Sequence, residues 1–553
     1  MRLGLLTEGG YPYVGGDAGL WCERLVRGLE QHEFDVYALG PGPRGRTGDR
    51  RPLPAQVRRV RTAPPWPAEG ARYGRPARRR FAECYAELVG AVCTGTGAAR
   101  RVPGGEVPEA SGDLADRFGS ALYGLAELAR EQGGLTGALR SETAVRALER
   151  ACRAPRALCT AHEARVPDLL TIAAHLERAL RPLSLDWYDD DALGAADLCH
   201  ATTGGAPALC GLLARHFCGV PLLVTEYTVH LRTHYLTSGP GTAAPAVRAV
   251  LAAFHGRLAA EVHRAAELLT AGDTQARRWQ ERCGADRARI RTVYPGTAVE
   301  RFAEPGEPEL PSDPDTLVWA GPVDPAKDLV TLLHAFAEVR REEPKARLRV
   351  VGTPSGTEGA AHLGHCRALA ARLFPGGTEG DQPVSFEETG EPDAYAAATV
   401  VVLSSRAEGF PAGLVEAMLS GRATVSTDVG AVVEVIGGTG LVVPPGDPTA
   451  LAEACVALLR DPGRRARLGA AARARALELF TVERNIAAFH GLYLEIVSHY
   501  PVRRAAPHEP RPFAAPAETL VPGHRAGPAD RALLRGAPAW ATDTTQPSVE
   551  ETR

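Results

Sequence analysis

The stretch Val400-Val401-Val402-Leu403-Ser404-Ser405-Arg406-Ala407-Glu408-Gly409-Phe410-Pro411-Ala412-Gly413-Leu414-Val415-Glu416-Ala417-Met418 decides the architecture. Its first four residues are a short apolar run, which reads as a strand. Gly413 to about Leu419 reads as a helix, and the loop between them carries Glu408. Glu416 falls about one turn inside the helix, eight residues beyond Glu408. A helix start offers unpaired N–H groups and a partial positive charge, suited to a phosphate or a sugar oxygen. Glutamates eight apart are common, so the spacing alone says little. The order of the surrounding elements supplies the rest.

On the N-terminal side of this stretch lie a strand at Leu317–Ala320, a helix from about Asp328 to Arg340 and a strand at Leu348–Val351. On its C-terminal side come strands at Ala423–Ser426 and Leu441–Val443, then helices over 449–460, 463–478 and 482–498. Strands alternating with helices make a doubly wound parallel sheet. The same alternation opens the chain: an apolar run Leu3–Thr7, a Gly-rich turn, a helix over Ala18–Leu29 and a run Asp35–Leu39. It resumes at 196–200 and 221–225, followed by a long amphipathic helix over Ala246–Ala266 and strands at 268–270 and 290–294. A Pro/Glu/Asp-rich stretch over 303–314 separates the two series as a linker. The expectation is an α/β chain of two Rossmann-like doubly wound domains, 1–302 and 315–480, facing a cleft. A helix over 481–500 returns toward the first domain. Within that domain, 41–80 is crowded with Pro, Arg and Gly and reads as a long surface loop, and 81–185 reads as a helical insertion. The Pro/Ala/Arg-rich tail, 501–553, reads as disordered. Ligands in such sheets sit beyond the carboxyl ends of the strands.

A chain of 553 residues exceeds what one ordinary core holds. With 23% charged and 44% hydrophobic residues it is a globular chain rather than a disordered one. A net charge of -3 gives no global basic field, so no nucleic-acid partner is expected. No apolar run reaches the roughly 18 residues of a membrane span. The first residues hold only about four apolar side chains before Glu8, short of a secretory h-region of ~7–15, so the expected location is cytoplasmic. The 11 cysteines are scattered without a Cys-x-x-Cys pair and read as buried small hydrophobes. No metal or other cofactor is expected. Asp189-Asp190-Asp191 reads as a solvated acidic turn, and His362, His365 and Cys366 lack a fourth ligand at zinc spacing. Gly9-Gly10 with Gly15-Gly16 does not make Gly-x-Gly-x-x-Gly, which disfavours a nicotinamide cofactor. Lysine occurs twice, at 327 and 345, among 63 basic residues. Lys327 follows the 317–320 strand, where a compact ammonium suits a phosphate.

Ser404 to Met418 in its strand-loop-helix setting resembles the Glu-x7-Glu motif of the retaining GT-B glycosyltransferases. This is the large glycosyltransferase family 4 type that includes sucrose-phosphate synthases and mannosyltransferases. Ala320-Gly321-Pro322-Val323-Asp324-Pro325-Ala326-Lys327-Asp328, Ser426 to Ala431 and Gly440 to Asp447 fall in the family's order, so the resemblance covers roughly 316–498. Thr7 to Gly16, Trp21-Cys22, Val224-Thr225-Glu226 with Arg232, and Gly284 through Phe302 are similar to one branch, the pellicle (Pel) exopolysaccharide glycosyltransferases. That branch carries an N-terminal domain of unknown function of matching size.

The resemblance implies metal-independent, retaining hexosyl transfer from a nucleotide sugar, UDP-linked by the branch, to a polysaccharide, glycolipid or small-molecule acceptor. It implies the donor on the C-terminal domain, the acceptor on the N-terminal one, and a membrane-associated biosynthetic complex as the assembly. Cleft closure is expected about hinges near 300–314 and before the last helix. By resemblance Glu416 holds the donor ribose, Glu408 the transferred sugar and Lys327 the diphosphate. Gly409 and Phe410, with Pro411 beside them, hydrogen-bond sugar oxygens through the backbone. Gly15 and Gly16 let backbone amides approach the diphosphate, and Glu226, Tyr227, Arg232 and Arg406 complete the substrate-binding set. The chain departs from the pattern at Pro322, where the family has Arg, at Tyr227, where the branch has His, and at Pro295 and Ala298, where it has Asn and Asp. Losing a charge-assisted contact to the diphosphate costs about 2–4 kcal/mol of transition-state stabilisation. Either Arg406 or Arg232 compensates, or the chain is a degenerate GT-B protein acting as a nucleotide-sugar-binding or assembly subunit. His230 and His234, one turn apart if helical, either bind acceptor or lie on a helix surface.

Overall fold

The computed structural model describes residues 1–8, 11–13, 16–40, 53–63, 73–95, 109–237, 243–302, 315–375, 382–388 and 391–500. The linker 303–314 and the tail 501–553 of the sequence reading lie outside them. Two parallel sheets carry the fold. The first comprises β1 (Arg2–Glu8), β2 (Glu33–Leu39), β3 (Val57–Thr62), β4 (Leu198–Ala201), β5 (Leu222–Glu226), β6 (Leu268–Ala271) and β7 (Ile290–Thr292), in the order β3-β2-β1-β4-β5-β6-β7. The second comprises β8 (Thr316–Ala320), β9 (Arg347–Val351), β10 (Val384–Glu387), β11 (Val400–Leu403), β12 (Ala423–Thr427) and β13 (Leu441–Val443), in the order β10-β9-β8-β11-β12-β13. Strand order reverses between β1 and β4 in one sheet and between β8 and β11 in the other. Each reversal opens a crevice at the carboxyl ends of the strands.

The first half holds α1 (Asp17–Gly28), α2 (Arg75–Cys93), α3 (Glu109–Gln132), α4 (Leu135–Leu139), α5 (Glu142–Cys152), α6 (Cys159–His162), α7 (Val166–Leu180), α8 (Ala206–Cys218), α9 (His230–Thr237), α10 (Pro245–Ala265) and α11 (Thr274–Arg282). The second holds α12 (Leu329–Glu342), α13 (Gly356–Leu373), α14 (Glu391–Ala397), α15 (Ala412–Leu419), α16 (Val432–Ile436), α17 (Pro448–Arg460), α18 (Pro462–Leu479) and α19 (Val482–His499). No helix among the described residues is long and apolar enough to cross a membrane. The helices between β3 and β4 share one core with a face of the first sheet. Phe81, Tyr85 and Phe118 pack into the same cluster as Tyr37 of β2, Trp187 and Phe254 of α10.

The segment 41–80 is not a continuous loop. Val57–Thr62 forms β3, the edge strand beside β2, and α2 starts at Arg75. The strand's arginines hid it. Arg59, for one, lies 3.6 Å from the buried Asp35 and donates to the Tyr37 hydroxyl at 3.2 Å, so a charged residue at an edge position replaces the apolar signal.

α19 leaves the second half and packs on the first sheet. Thr481 caps it by accepting from Arg484 N, and a stripe of Phe489, Tyr493 and Ile496 is buried with Leu3, Leu5 and Leu198. Each such side chain stabilises the docking by about 1.5–3 kcal/mol. Between helix and sheet, the buried His200 ring is hydrogen-bonded to the Tyr493 hydroxyl and to Thr225 Oγ1, both at 2.7 Å. Burial pushes its pKa down to about 3. Where α19 begins, the two passages of chain between the halves touch: Thr297 N donates to Phe480 O at 2.8 Å, and Val482 N to Thr297 O at 3.3 Å. Gly296 permits this approach, since a Cβ there would lie 2.7 Å from Val482 Cα.

Candidate active site

The first constellation grows from two loops at the carboxyl edge of the second sheet. After β8, a short 3₁₀ turn, Pro325–Lys327, is capped by Asp324, whose Oδ1 accepts from Ala326 N at 2.8 Å. Asp328 then adopts φ +50°, a left-handed conformation that aspartate tolerates better than most residues. From there its carboxylate accepts from Thr331 N and Thr331 Oγ1, at 3.3 and 2.6 Å, and starts α12.

The second loop follows β11 and is stitched to the first. Arg406 N donates to Ala326 O at 2.8 Å, and Ser404 Oγ to Lys327 O at 2.8 Å. Behind it, Thr427 Oγ1 donates to Ser405 O at 2.7 Å. Gly430, at φ +58°, lies so close that a Cβ would come within 2.5 Å of Glu408 O.

This scaffold brings Lys327 Nζ to 2.6 Å from Glu408 Oε2, and Ser405 Oγ donates to the same oxygen at 3.1 Å. Both partners of the ion pair are mostly shielded, 24% and 14% exposed, so solvent screens them only in part. Gly409 gives its carbonyl to Ala431 N at 3.2 Å, and nothing lies within 4 Å of where its Cβ would be. Phe410 packs against the Tyr294 and Phe480 rings. Pro411 is the N-terminal boundary of α15, which has no side-chain cap. Glu416, on α15, accepts from the Tyr395 hydroxyl at 3.4 Å and lies 3.7 Å from Arg301 Nη1.

The remaining expected residues divide. Arg232, on α9 of the first half, donates from Nη2 to Glu408 O at 3.3 Å and so joins the two halves at the site. Arg406 donates to Asp328 Oδ2 at 2.7 Å and is well exposed beside Lys327. Pro322 is exposed and brings no charge. Gly16 precedes α1 at φ +144° with open space around it, while Gly15 lies outside the described residues.

Two expected contacts are displaced. Glu226 is 1% exposed, held by His263 Nε2 at 2.8 Å and Gln280 Nε2 at 3.1 Å, so it lies beneath the cleft surface rather than on it. The Tyr227 hydroxyl accepts from Asn485 of α19 at 3.1 Å, and its ring meets Trp21 edge-on at 5.5 Å. Tyrosine there ties the returning helix to β5, and burial raises its pKa.

Asp328, Arg301 and Tyr395 were not legible as parts of the site, because each acts through a partner far away in sequence. His362 and Cys366 meet at 3.6 Å, and Asp189 pairs with Arg130. No group of three or more His, Cys, Asp or Glu among the described residues is placed to hold a metal ion. A cavity of about 830 Å³ lies elsewhere, at the amino ends of β9 and β10, lined by Arg347, Arg349, Arg367 and Phe386 among others. It contains none of the loop residues above.

The comparisons divide the chain in the same place. Residues 1–288 match the family described as "Domain of unknown function (DUF3492)". The chain belongs to that family. Residues 314–461 match the family "Glycosyl transferases group 1". Among curated relatives, a D-inositol 3-phosphate glycosyltransferase of Kineococcus radiotolerans is 35% identical over 239 residues, 39% of this chain and 54% of that one. Another so named, from a Nocardioides species, is 32% identical over 294 residues, 49% of this chain and 62% of that one. The DUF3492 chain thus spans about half to three fifths of the length of the curated relatives it matches. Among solved structures, Anabaena HepE in complex with UDP superposes with a TM-score of 0.54 at 15% identity, covering 90% of this chain and 100% of that one. Sucrose-phosphate synthase from Thermosynechococcus elongatus superposes with a TM-score of 0.53 at 16% identity, covering 90% and 99%. At such identities the likeness shows the fold, which is GT-B.

Proposed function

We propose that the protein transfers a hexosyl group from a UDP-sugar, with retention of configuration, to a carbohydrate or other hydroxyl-bearing acceptor. One arrangement supports this most. Lys327 and Glu408 meet at the carboxyl edge of the second sheet, beside the uncapped start of α15, while Arg232 reaches across from the first half to the same glutamate. An ammonium at that position neutralises charge developing on a leaving diphosphate. The Glu408 carboxylate accepts hydrogen bonds from the transferred sugar, and Glu416, steadied by Tyr395, accepts them from the ribose. The protein's contribution is then positioning and electrostatics, with no protein nucleophile. UDP is favoured because the HepE complexes, similar in fold, are named for it. A pellicle-type role in exopolysaccharide synthesis is the finer assignment that fits the N-terminal match.

Pro322 and the engaged Tyr227 favour a second reading, a nucleotide-sugar-binding or assembly subunit without turnover. Nucleotide release from UDP-, GDP- and ADP-sugars, measured for wild type and Glu408→Ala with a lysate fraction supplying acceptors, separates the two. Release with one donor, lost in the variant, is the expected result, and the anomeric configuration of the product by NMR tests retention. Saturable binding without release favours the second reading. Neither binding nor release overturns both.

A further inference from the structure

Arg232 is not the only contact between the halves near the Glu408 loop. Another lies at the start of α11, where a helix leaves its first amides unpaired. Asp273, the cap residue, accepts from Ala276 N at 2.6 Å, and the first amide of the helix, Thr274 N, turns elsewhere. It donates at 2.8 Å to Glu434 Oε2, on α16 of the second half. A carboxylate is well placed at the positive end of a helix. Glu434 Oε1 accepts from the Tyr294 hydroxyl at 2.9 Å, which fixes the direction in which the carboxylate points.

Each side of this contact is a packed block. On the second half, Val432, Val435 and Ile436 of α16 are buried with Leu414, Val415 and Met418 of α15. Arg475 donates from Nη2 to Glu434 O at 2.9 Å and from Nε to Val435 O at 2.8 Å, satisfying carbonyls at the end of α16. Ala431 N, just before α16, holds Gly409 O at 3.2 Å, so Glu434 rides on the segment that braces the Glu408 loop. On the first half, α9 and α11 pack through Leu231 and Trp279, and the Tyr235 ring of α9 meets Trp279 at 6.3 Å. Arg232 leaves this block from α9 and Thr274 from α11. One contact between two blocks lets them swivel about it, whereas two set both spacing and tilt. The contact can also part. Thr274 is exposed and Glu434 half-buried, so water can take the place of either. The Asp273 carboxyl is raised above its ordinary value, chiefly by burial and further by the charge of Glu434, so two carboxylates oppose each other at one helix start.

We propose that Glu434 is a positioning residue for the transfer: by taking the Thr274 amide it sets the closed spacing at which Arg232 meets the Glu408 loop. The inference rests on the glycosyl-transfer reading above. A residue that aligns two blocks changes how often the reacting groups are in register, and misplacement by about 1 Å costs up to about 10²-fold in rate. Its loss therefore falls on kcat. A donor held on the second half alone keeps its affinity.

Thr274→Pro isolates the contact. Proline removes the N–H and suits the first position of a helix. Asp273, at φ −163° and ψ 172°, already has the extended backbone that a following proline favours. With the donor found by nucleotide release, Thr274→Pro and Glu434→Ala should each lower kcat about tenfold to a hundredfold and leave the donor Kd within about threefold. Glu434→Gln keeps an oxygen for the amide and should recover most of the rate. Combined with Arg232→Ala, either variant should cost less than the product of the two single losses, because both act on one spacing. Hydrogen exchange at the Thr274 amide, read by mass spectrometry, should quicken about tenfold in Glu434→Ala. Urea unfolding reports whether each variant folds, and if Glu434→Ala does not, kcat of Thr274→Pro decides. An unchanged kcat in Thr274→Pro overturns the proposal, as does Thr274 exchange that Glu434→Ala leaves unaltered. A wild type that turns over no donor strikes instead at the glycosyl-transfer reading.

Discussion

The two sheets place their polar clusters at the same edge and assemble them in opposite ways. On the second sheet, Glu408, Gly409, Pro411 and Glu416 come from one strand-loop-helix, and Lys327 comes from the equivalent loop of the neighbouring strand. On the first sheet, Glu8, Gly204-Gly205 and His230 come from three separate connections, with helices α2–α7 inserted before β4. A site built on one turn leaves a pattern in the chain. A site built from scattered strand ends exists only once the sheet has formed.

The sharpest way to break the comparison is at Glu408. Glu408→Ala should lower nucleotide release about 10³-fold or more, while the urea midpoint moves little, because a partly exposed ion pair contributes modestly to stability. Lys327→Ala should cost about 10²–10³-fold in kcat/KM for the donor, read from release kinetics over a donor titration. A loss below tenfold would mean that Lys327 serves Glu408 and not a diphosphate.

On the first half the expected effects concern stability. The folded-state pKa of His200, about 3, lies below its ordinary value of 6.5. The unfolded chain therefore takes up a proton that the folded chain refuses. Stability is full above pH 6.5 and is lost as pH falls toward 3, by about 2 kcal/mol at pH 5. Urea unfolding at pH 7.5 and pH 5 measures it, and His200→Gln should reduce the difference, with the likewise lowered His32 and His255 supplying the rest. The smallest effect is Tyr227→Phe, which removes one hydrogen bond to Asn485 and should cost about 1 kcal/mol in unfolding with kcat nearly unchanged. A tenfold fall in kcat would return the Tyr227 hydroxyl to the cleft.

The second half was legible because strand and helix periods there agree with short, regular connections. The β11 strand was read at Val400–Leu403, as found, and α17 and α19 within a residue of their bounds. In the first half, β3 escaped because arginines occupy half of its positions; in the second, the short strand β10 offered only four residues, Val384–Glu387, and α13 was not read. Glu226 and Tyr227 show a different limit. Both were placed in the substrate-binding set by resemblance, but whether such a side chain enters the cleft depends on what packs behind it. For Glu226 that is His263 and Gln280, and for Tyr227 it is Trp21 and Asn485. None of these partners is adjacent in sequence. The positive φ of Asp328 had no signal either, since aspartate is ordinary at a helix start.

The lacing of Thr297 to Phe480 and Val482 has a mechanical meaning. Two bodies joined by separate strands can slide past each other as well as turn. When the strands are tied together beside a glycine that has no room for a Cβ, the joint becomes a pivot. Such a tie opposes sliding at the joint more than it opposes turning. A methyl group added at Gly296 would meet Val482 Cα and push the two passages apart.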